Sequence, residues 1–382
     1  MLKNALLKAA MEHEIRELEK PLKSESFSID GINFEINLQN QASVDYVNRT
    51  IMMSEPKPST TSNLQTVVID GATWAEGSKI VNQHIKESNS VNGNEIGMLI
   101  DGSHFIRNNY YVHISKQLTD NSWYHISAGN EPEMGVCSFI RTHLLRKSSL
   151  ELEHFTVLHA AAITDILTGE SIIIMGDNDN FDARNKGKTS LSMYACFHEN
   201  SRFALSSDNE VIFGVLGDVS TFKSIPNEIL MRERLYQELQ RQGKHFNLET
   251  WTGVDKKNGE KIYTTSAGYL SEVGIKFSPI KRVSNVIFVS LDPSLKSIDT
   301  HTISWVEAEK KAENSVHPMR MKQVAQPIWL NETGIERVRN VQATQEVSIT
   351  WNKLDRKVGL WKMSGTIDPS GLYQSLCDII KK

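Results

Sequence analysis

The chain has 382 residues, 39% of them hydrophobic and 23% charged, a balance that supports a sizeable core in two or three domains and excludes a fibrous or extensively disordered protein. Its net charge is −4 with neutral histidines, and no basic run is long enough to neutralise a line of phosphates, so nucleic acid is not an expected partner. No apolar run approaches the roughly 18 residues that span a bilayer, and Cys137, Cys196 and Cys377 lack the spacing of a metal site or a disulfide framework, which predicts a reducing, cytoplasmic setting.

In chain order, the first 23 residues read as an amphipathic surface helix with Leu2, Leu6, Ile15 and Leu18 on one side; charges from Glu12 onward break any signal-peptide core. SFSIDGINFEINLQ alternates with the period of a half-buried strand, and EPKPSTTSN is a loop by composition. LQTVVID, EIGMLID, NYYVHIS and SWYHIS predict short strands separated by turns. Residues 1–146 thus read as a mostly antiparallel β domain with a leading helix. Its aromatics Tyr110, Tyr111, Trp123 and Tyr124 could fill the domain's own core or line an acceptor site.

CSFIRTHLLRKSSLELEHF predicts a helix leading into a second domain, residues 147–382. That domain opens with the strand VLHAAAITD, the turn LTGE and the strand SIIIMG. A loop closing in GKTS and the helix SLSMYACF follow. The strand RFALSSDNEVIFGV comes next and is polar at its middle, then the helix ILMRERLYQELQRQ, the strand RVSNVIFVSLD, the helix SWVEAEKKAENSV, and a closing strand, turn and helix in WKMSGTIDPSGLYQSLCDIIKK. The fold class is therefore α+β or α/β.

The strand, loop and helix around Gly176, Gly187, Lys188, Thr189 and Ser190 have the order of a phosphate-binding loop, in which backbone N–H groups wrap the phosphates, the lysine reaches the outer ones and a hydroxyl holds Mg²⁺. The two glycines stand farther apart than in G-x-x-x-x-G-K-[ST], and the insert carries Asp177, Asp179 and Asp182. Carboxylates there would repel a triphosphate, so the insert is expected to bulge into solvent. His159 stands in an otherwise apolar strand, either as a hydrogen-bonded core residue or as part of a site. Asp208 sits in the break Ser206-Ser207-Asp208-Asn209, where phosphoryl transfer would place a metal ligand or base, although a turn uses the same residues. Arg232, Arg234, Lys281 and Arg282 are candidates for a cation that stabilises a transferred phosphoryl.

From about Thr142 to Lys382, LHAAAI, SIIIMG followed by NKGKTSL, and ALSSDNEVIFG come in an order that resembles the HPr serine kinase family, whose nucleotide-binding core is shared with phosphoenolpyruvate carboxykinase. VLGDVSTFKSIPNEI resembles that family's segment before a short helix marked by proline, and RVSNVIFVSLDP its late core strand. The resemblance implies an ATP-dependent phosphotransferase with ATP and Mg²⁺ as cofactors. Gly176, Gly187, Lys188, Thr189 and Ser190 would hold phosphate, Thr189 and Asp208 the metal, and Asp208, His159 and Lys188 the chemistry. Asn209 stands where the family's second aspartate is usual. A small-molecule or peptide acceptor is implied in place of HPr, and because family members are often oligomers a homo-oligomer is implied by resemblance alone. A nucleotide-binding regulatory or scaffold subunit without phosphotransfer is the alternative.

Overall fold

The computed structural model describes residues 23–38, 41–52, 56–58, 64–72, 74–91, 94–100, 102–109, 111–119, 122–129, scattered positions from 137 to 148, and then 151–177, 187–226, 228–248, 252–254, 259–316 and 343–381. The expected N-terminal helix, the loop residues Asp179 and Asp182, and the side chains of Tyr110, Tyr111, Trp123 and Tyr124 lie outside the described residues. The described residues fall into two compact units: 23–48 and 56–144 build the first, and 49–52, 145–316 and 343–381 build the second.

In the first unit, strands β1 (Lys23–Ile29), β2 (Ile32–Leu38), β3 (Lys57–Pro58), β4 (Leu64–Ala72), β5 (Ile85–Val91), β6 (Asn94–Leu99), β7 (His104–Arg107), β8 (Tyr111–Thr119) and β9 (Ser122–Gly129) form one sheet in the order β3-β1-β2-β4-β9-β8-β7-β6-β5. All its pairs are antiparallel except those of β4, which runs parallel to β2 and β9. The stretch expected as one strand is a hairpin. Asp30 and Gly31, at φ 48° and 72°, make the two-residue turn whose twist suits antiparallel strands. Phe27, Ile29, Phe34 and Ile36 then share the buried face.

Two helices in the N-terminal part of the chain go beyond the sequence expectation, the first of them with its residues from Arg49 onward counted in the second unit. Helix α1 (Gln41–Ile51) buries Val44, Val47 and Ile51 at helical spacing. Helix α2 (Trp74–His84) has a weaker pattern because one of its buried positions is Gly77, where an added Cβ would lie 2.8 Å from the Ala128 Cβ. That close approach to the sheet is visible only in three dimensions.

The second unit contains β10 (His154–Leu158), β11 (Ala160–Asp165), β12 (Glu170–Gly176), β13 (Phe203–Ser207), β14 (Val211–Leu216), β15 (Val219–Ser224), β16 (Ile229–Arg232), β17 (Thr252–Val254), β18 (Lys261–Thr265), β19 (Arg282–Leu291), β20 (Ile298–Thr302) and β21 (Gly359–Gly365). A six-stranded sheet runs β13-β11-β12-β19-β21-β20, with β12, β19 and β21 parallel. Two three-stranded sheets run β10-β14-β15 and β16-β18-β17. The helices are α3 (Lys188–Phe197), α4 (Glu233–Arg241), α5 (Ala267–Glu272), α6 (Trp305–Asn314), α7 (Ala343–Asn352) and α8 (Pro369–Lys381). The molecule is thus mixed α and β with several sheets.

Strand β12 reads Ser-Ile-Ile-Ile-Met without alternation because both its faces are covered. Ile172 and Ile174 enter a core with Leu191 and Tyr194 of α3 and Leu372 and Leu376 of α8. Ile173 and Met175, on the other face, are equally buried. Asn285 of β19 accepts a hydrogen bond from the Trp361 indole of β21 at 2.8 Å, so the parallel strands are also tied by buried side chains.

Three predicted elements change character. VLHAAAITD breaks at His159 into β10 and β11, which belong to different sheets, and RFALSSDNEVIFGV likewise breaks between β13 and β14. ILMRERLYQELQRQ starts as strand β16, in which Ile229 and Met231 are buried and Leu230 faces outward, and becomes helical only from Glu233. The pairing of β16 with β18 overrides the helical propensity of its first turn. Truncating the centre of the parallel layer tests this account. Ile174→Ala is expected to cost about 2–5 kcal/mol, read as a lower denaturation midpoint with an unchanged denaturant slope.

Candidate functional site

The chain crosses from one sheet to another twice at the same place. Leu158 pairs with Val211 in the three-stranded sheet, and Ala162 pairs with Ser207 in the six-stranded one. Residues 159–161 and 208–210 fill the seam between these pairs. In the second crossing Asn209 adopts φ 69°, a left-handed conformation that asparagine tolerates. The Ser207 hydroxyl donates to the Glu210 carbonyl at 2.5 Å, and Asp208 is carried to the seam with its side chain buried. Fully buried Glu210 is the second acid at this turn, two positions after Asp208.

Into the seam reaches the start of α3. Gly187 precedes it at φ 94°, and an added Cβ would meet the Leu291 side chain of β19 at 2.7 Å, so both backbone and space demand glycine there. No side chain caps the helix. Its first N–H groups are therefore the intrinsic anion-binding donors of a helix start, on the path from β12.

Lys188 is buried, and its ammonium donates to His159 Nε2 at 3.2 Å, which requires that nitrogen to be the acceptor and puts the imidazole proton on Nδ1. The Thr189 hydroxyl donates to Asp208 Oδ1 at 3.0 Å. Asp208 Oδ2 is buried without a hydrogen-bond partner among the described residues. Burial pushes the Lys188 pKa down to about 8; the Asp208 carboxylate opposes this and the Arg232 guanidinium adds to it. Burial likewise pushes Asp208 up to about 6 against the pull of Lys188, Thr189 and the Asn209 backbone.

His159 thus joins Lys188 in this cluster, at a break in the strand. Its backbone N–H donates to the Ser315 carbonyl at 2.6 Å, just past α6. The same helix supplies Lys311, which pairs with Asp177 at the end of β12, and Lys362 of β21 approaches that carboxylate at 3.0 Å. Burial raises the Asp177 pKa, but the two lysines outweigh it and hold the carboxyl below its usual range. Asp177 is thus a clasp at the end of β12, a role its place among the acids of the insert did not suggest.

Of the candidate cations, Arg232 lies within electrostatic reach of Lys188. Arg234 follows it on α4, and its backbone N–H donates to Glu260 at 3.3 Å. Lys281 and Arg282 are elsewhere. Arg282 starts β19 opposite Glu170, six residue steps from Gly176 along β12, or about 20 Å at strand rise. Ser190 occupies the first turn of α3, and Gly176 ends β12 buried.

Thr189 and Asp208 offer neighbouring oxygens, one of them a buried carboxylate atom without a hydrogen bond among the described residues, and such oxygens could serve as two of a hard cation's donors. Among the described residues no group of three His, Cys, Asp or Glu side chains converges to cage a metal. Two protein donors would be enough only for a cation that keeps several waters, as Mg²⁺ commonly does. Among the described residues no helix is long and apolar enough to cross a membrane. No protein-family model matches the chain, and no curated protein matches it.

The site's electrostatics make a direct prediction. In a nuclear magnetic resonance titration of lysine side chains, one lysine should titrate near 8, and its signal should vanish in Lys188→Ala. In Asp208→Asn the same midpoint should fall further, because the carboxylate that favours the ammonium is gone.

Proposed function

We propose that the second unit binds a nucleoside triphosphate with Mg²⁺ and transfers its terminal phosphoryl group to a hydroxyl of a small-molecule or peptide acceptor. The observation that carries this reading is the convergence of Lys188, Thr189, His159 and Asp208 at one seam, beside the end of the parallel strand β12. Crevices at such strand ends, where connections diverge, are where open α/β sheets place ligands. The order of motifs that resembles HPr kinases supports the same reading.

Gly187 and the start of α3 would receive the phosphates, with Lys188 against the outer ones. Thr189 and Asp208 would hold Mg²⁺, which when bound neutralises charge on the phosphate oxygens. Asp208 would also orient the acceptor hydroxyl and take its proton. The acceptor oxygen forms its bond to the terminal phosphorus as the bond from that phosphorus to the bridging oxygen breaks, and the nucleoside diphosphate leaves with the electron pair. His159 holds the Lys188 ammonium in place through Nε2. Positioning and electrostatics suffice for this chemistry.

A binding subunit without phosphotransfer is the second reading, favoured by Asn209 at the position following Asp208. Calorimetric titration with Mg-ATP decides the first point: the unaltered chain binds and Lys188→Ala does not. Absence of binding to the unaltered chain overturns both readings. Steady ADP release, abolished in Lys188→Ala and Asp208→Ala, separates the enzyme from the binding subunit. The phosphotransferase should also show a bell-shaped dependence of kcat/KM on pH. Its acid limb near 6 reports the Asp208 carboxylate becoming ionised, and its alkaline limb near 8 reports Lys188 losing its proton.

A further inference from the structure

Helices α3 and α4 contribute to one core. Leu235 and Leu239 of α4 share a core with Leu191 and Tyr194 of α3. At the far end of α3, Phe197 stacks on Phe246 with centroids 6.0 Å apart and lies under the Lys244 ammonium at 5.9 Å, both partners standing just past the end of α4. At the near end, Lys188 opens α3, while Arg232, the last residue of β16, immediately precedes α4. Two helix starts and two cations therefore lie at the same end of this layer.

The second cation is engaged within the chain. Arg232 donates through Nη1 to Glu260 Oε2 at 2.8 Å, and Glu260 Oε1 accepts the Arg234 backbone N–H at 3.3 Å in the first turn of α4. One carboxylate thus binds a guanidinium and a helix-start amide together, which is how a phosphate oxygen is bound. Glu260 immediately precedes β18, and Arg232 pairs with Ile262 two residues further along. The pair is partly exposed, with side chains 28% and 22% accessible, so it can exchange partners without unfolding the core around it.

Resting on the phosphotransferase reading, we propose that Glu260 is a built-in competitor for Arg232. It holds the guanidinium at the start of α4 until the terminal phosphate of a nucleotide seated at Lys188 takes its place, and so sets the site's affinity for the triphosphate. Arg232 then becomes the cation that meets the charge on the transferred group, and Glu260 the residue that regulates its release.

The test is calorimetric titration of Mg-ATP into the whole chain and its variants. Glu260→Gln keeps an acceptor for the Arg234 amide while removing the charge, and should bind Mg-ATP about two- to fivefold more tightly, the scale of one partly exposed ion pair. Glu260→Ala, which removes the charge with a different shape, should also bind more tightly. Arg232→Gln should weaken binding, and the double variant Arg232→Gln with Glu260→Gln should be no tighter than Arg232→Gln alone. A structural role for Glu260 would lower affinity or leave it unmoved, never raise it. If the unaltered chain binds Mg-ATP and neither Glu260 variant tightens it, the competitor role is wrong and the nucleotide site stands. If the unaltered chain binds no Mg-ATP, the nucleotide reading falls first and takes the competitor with it.

Discussion

The burial of the Lys188 ammonium and the Asp208 carboxylate at a place where two sheets part is the constraint on which the second unit is organised. Desolvation drives each group towards its neutral form, and each resists because the other is near. Groups in this state are costly to the fold, so the structure around them must fix their positions from several sides. It does so with His159 on the lysine and Thr189 on the aspartate. Among the described residues this leaves Asp208 Oδ2 without a hydrogen-bond partner.

Both crossing segments leave one sheet and enter another at matched positions, so His159 and residues 208–210 stand between the strands and present their side chains at the seam. Helix α6 braces the region twice, through Lys311 on Asp177 and through the Ser315 carbonyl on His159. Gly187 lets α3 begin directly against Leu291 of β19. A side chain there would push the helix start, and Lys188 with it, away from the acid it needs.

The same logic explains why the small sheet β16-β18-β17 matters. By pairing Ile229–Arg232 as a strand, it delays the helix by one turn and places Arg232 at the start of α4 instead of within it. An arginine inside the helix would lie along its exposed flank. At the start it lies within electrostatic reach of Lys188 and is hydrogen-bonded to Glu260. A local contest between strand pairing and helix propensity thus decides where a cation sits.

Local pattern in the sequence was enough for the central strands and for α3, α6 and α8 of the second unit, since continuous apolar runs mark strands covered on both faces and Gly-Lys-Thr after such a run marks a helix start that can take an anion, but β15, β17, β18, β20, α5 and α7 were not legible in it. It was enough, too, for Lys188, Thr189, Asp208 and His159 as residues of interest. The break at His159, the separation of β13 from β14, the hairpin at Asp30-Gly31 and the close seat of Gly77 escaped it. The contacts Lys311 to Asp177 and Arg232 to Glu260 escaped it as well. Periodicity reports whether a residue is buried, not which neighbour buries it. Strand pairing and ion pairing between residues far apart in the chain arise only when the sheets are assembled, and there the tertiary structure alone decided which charges meet.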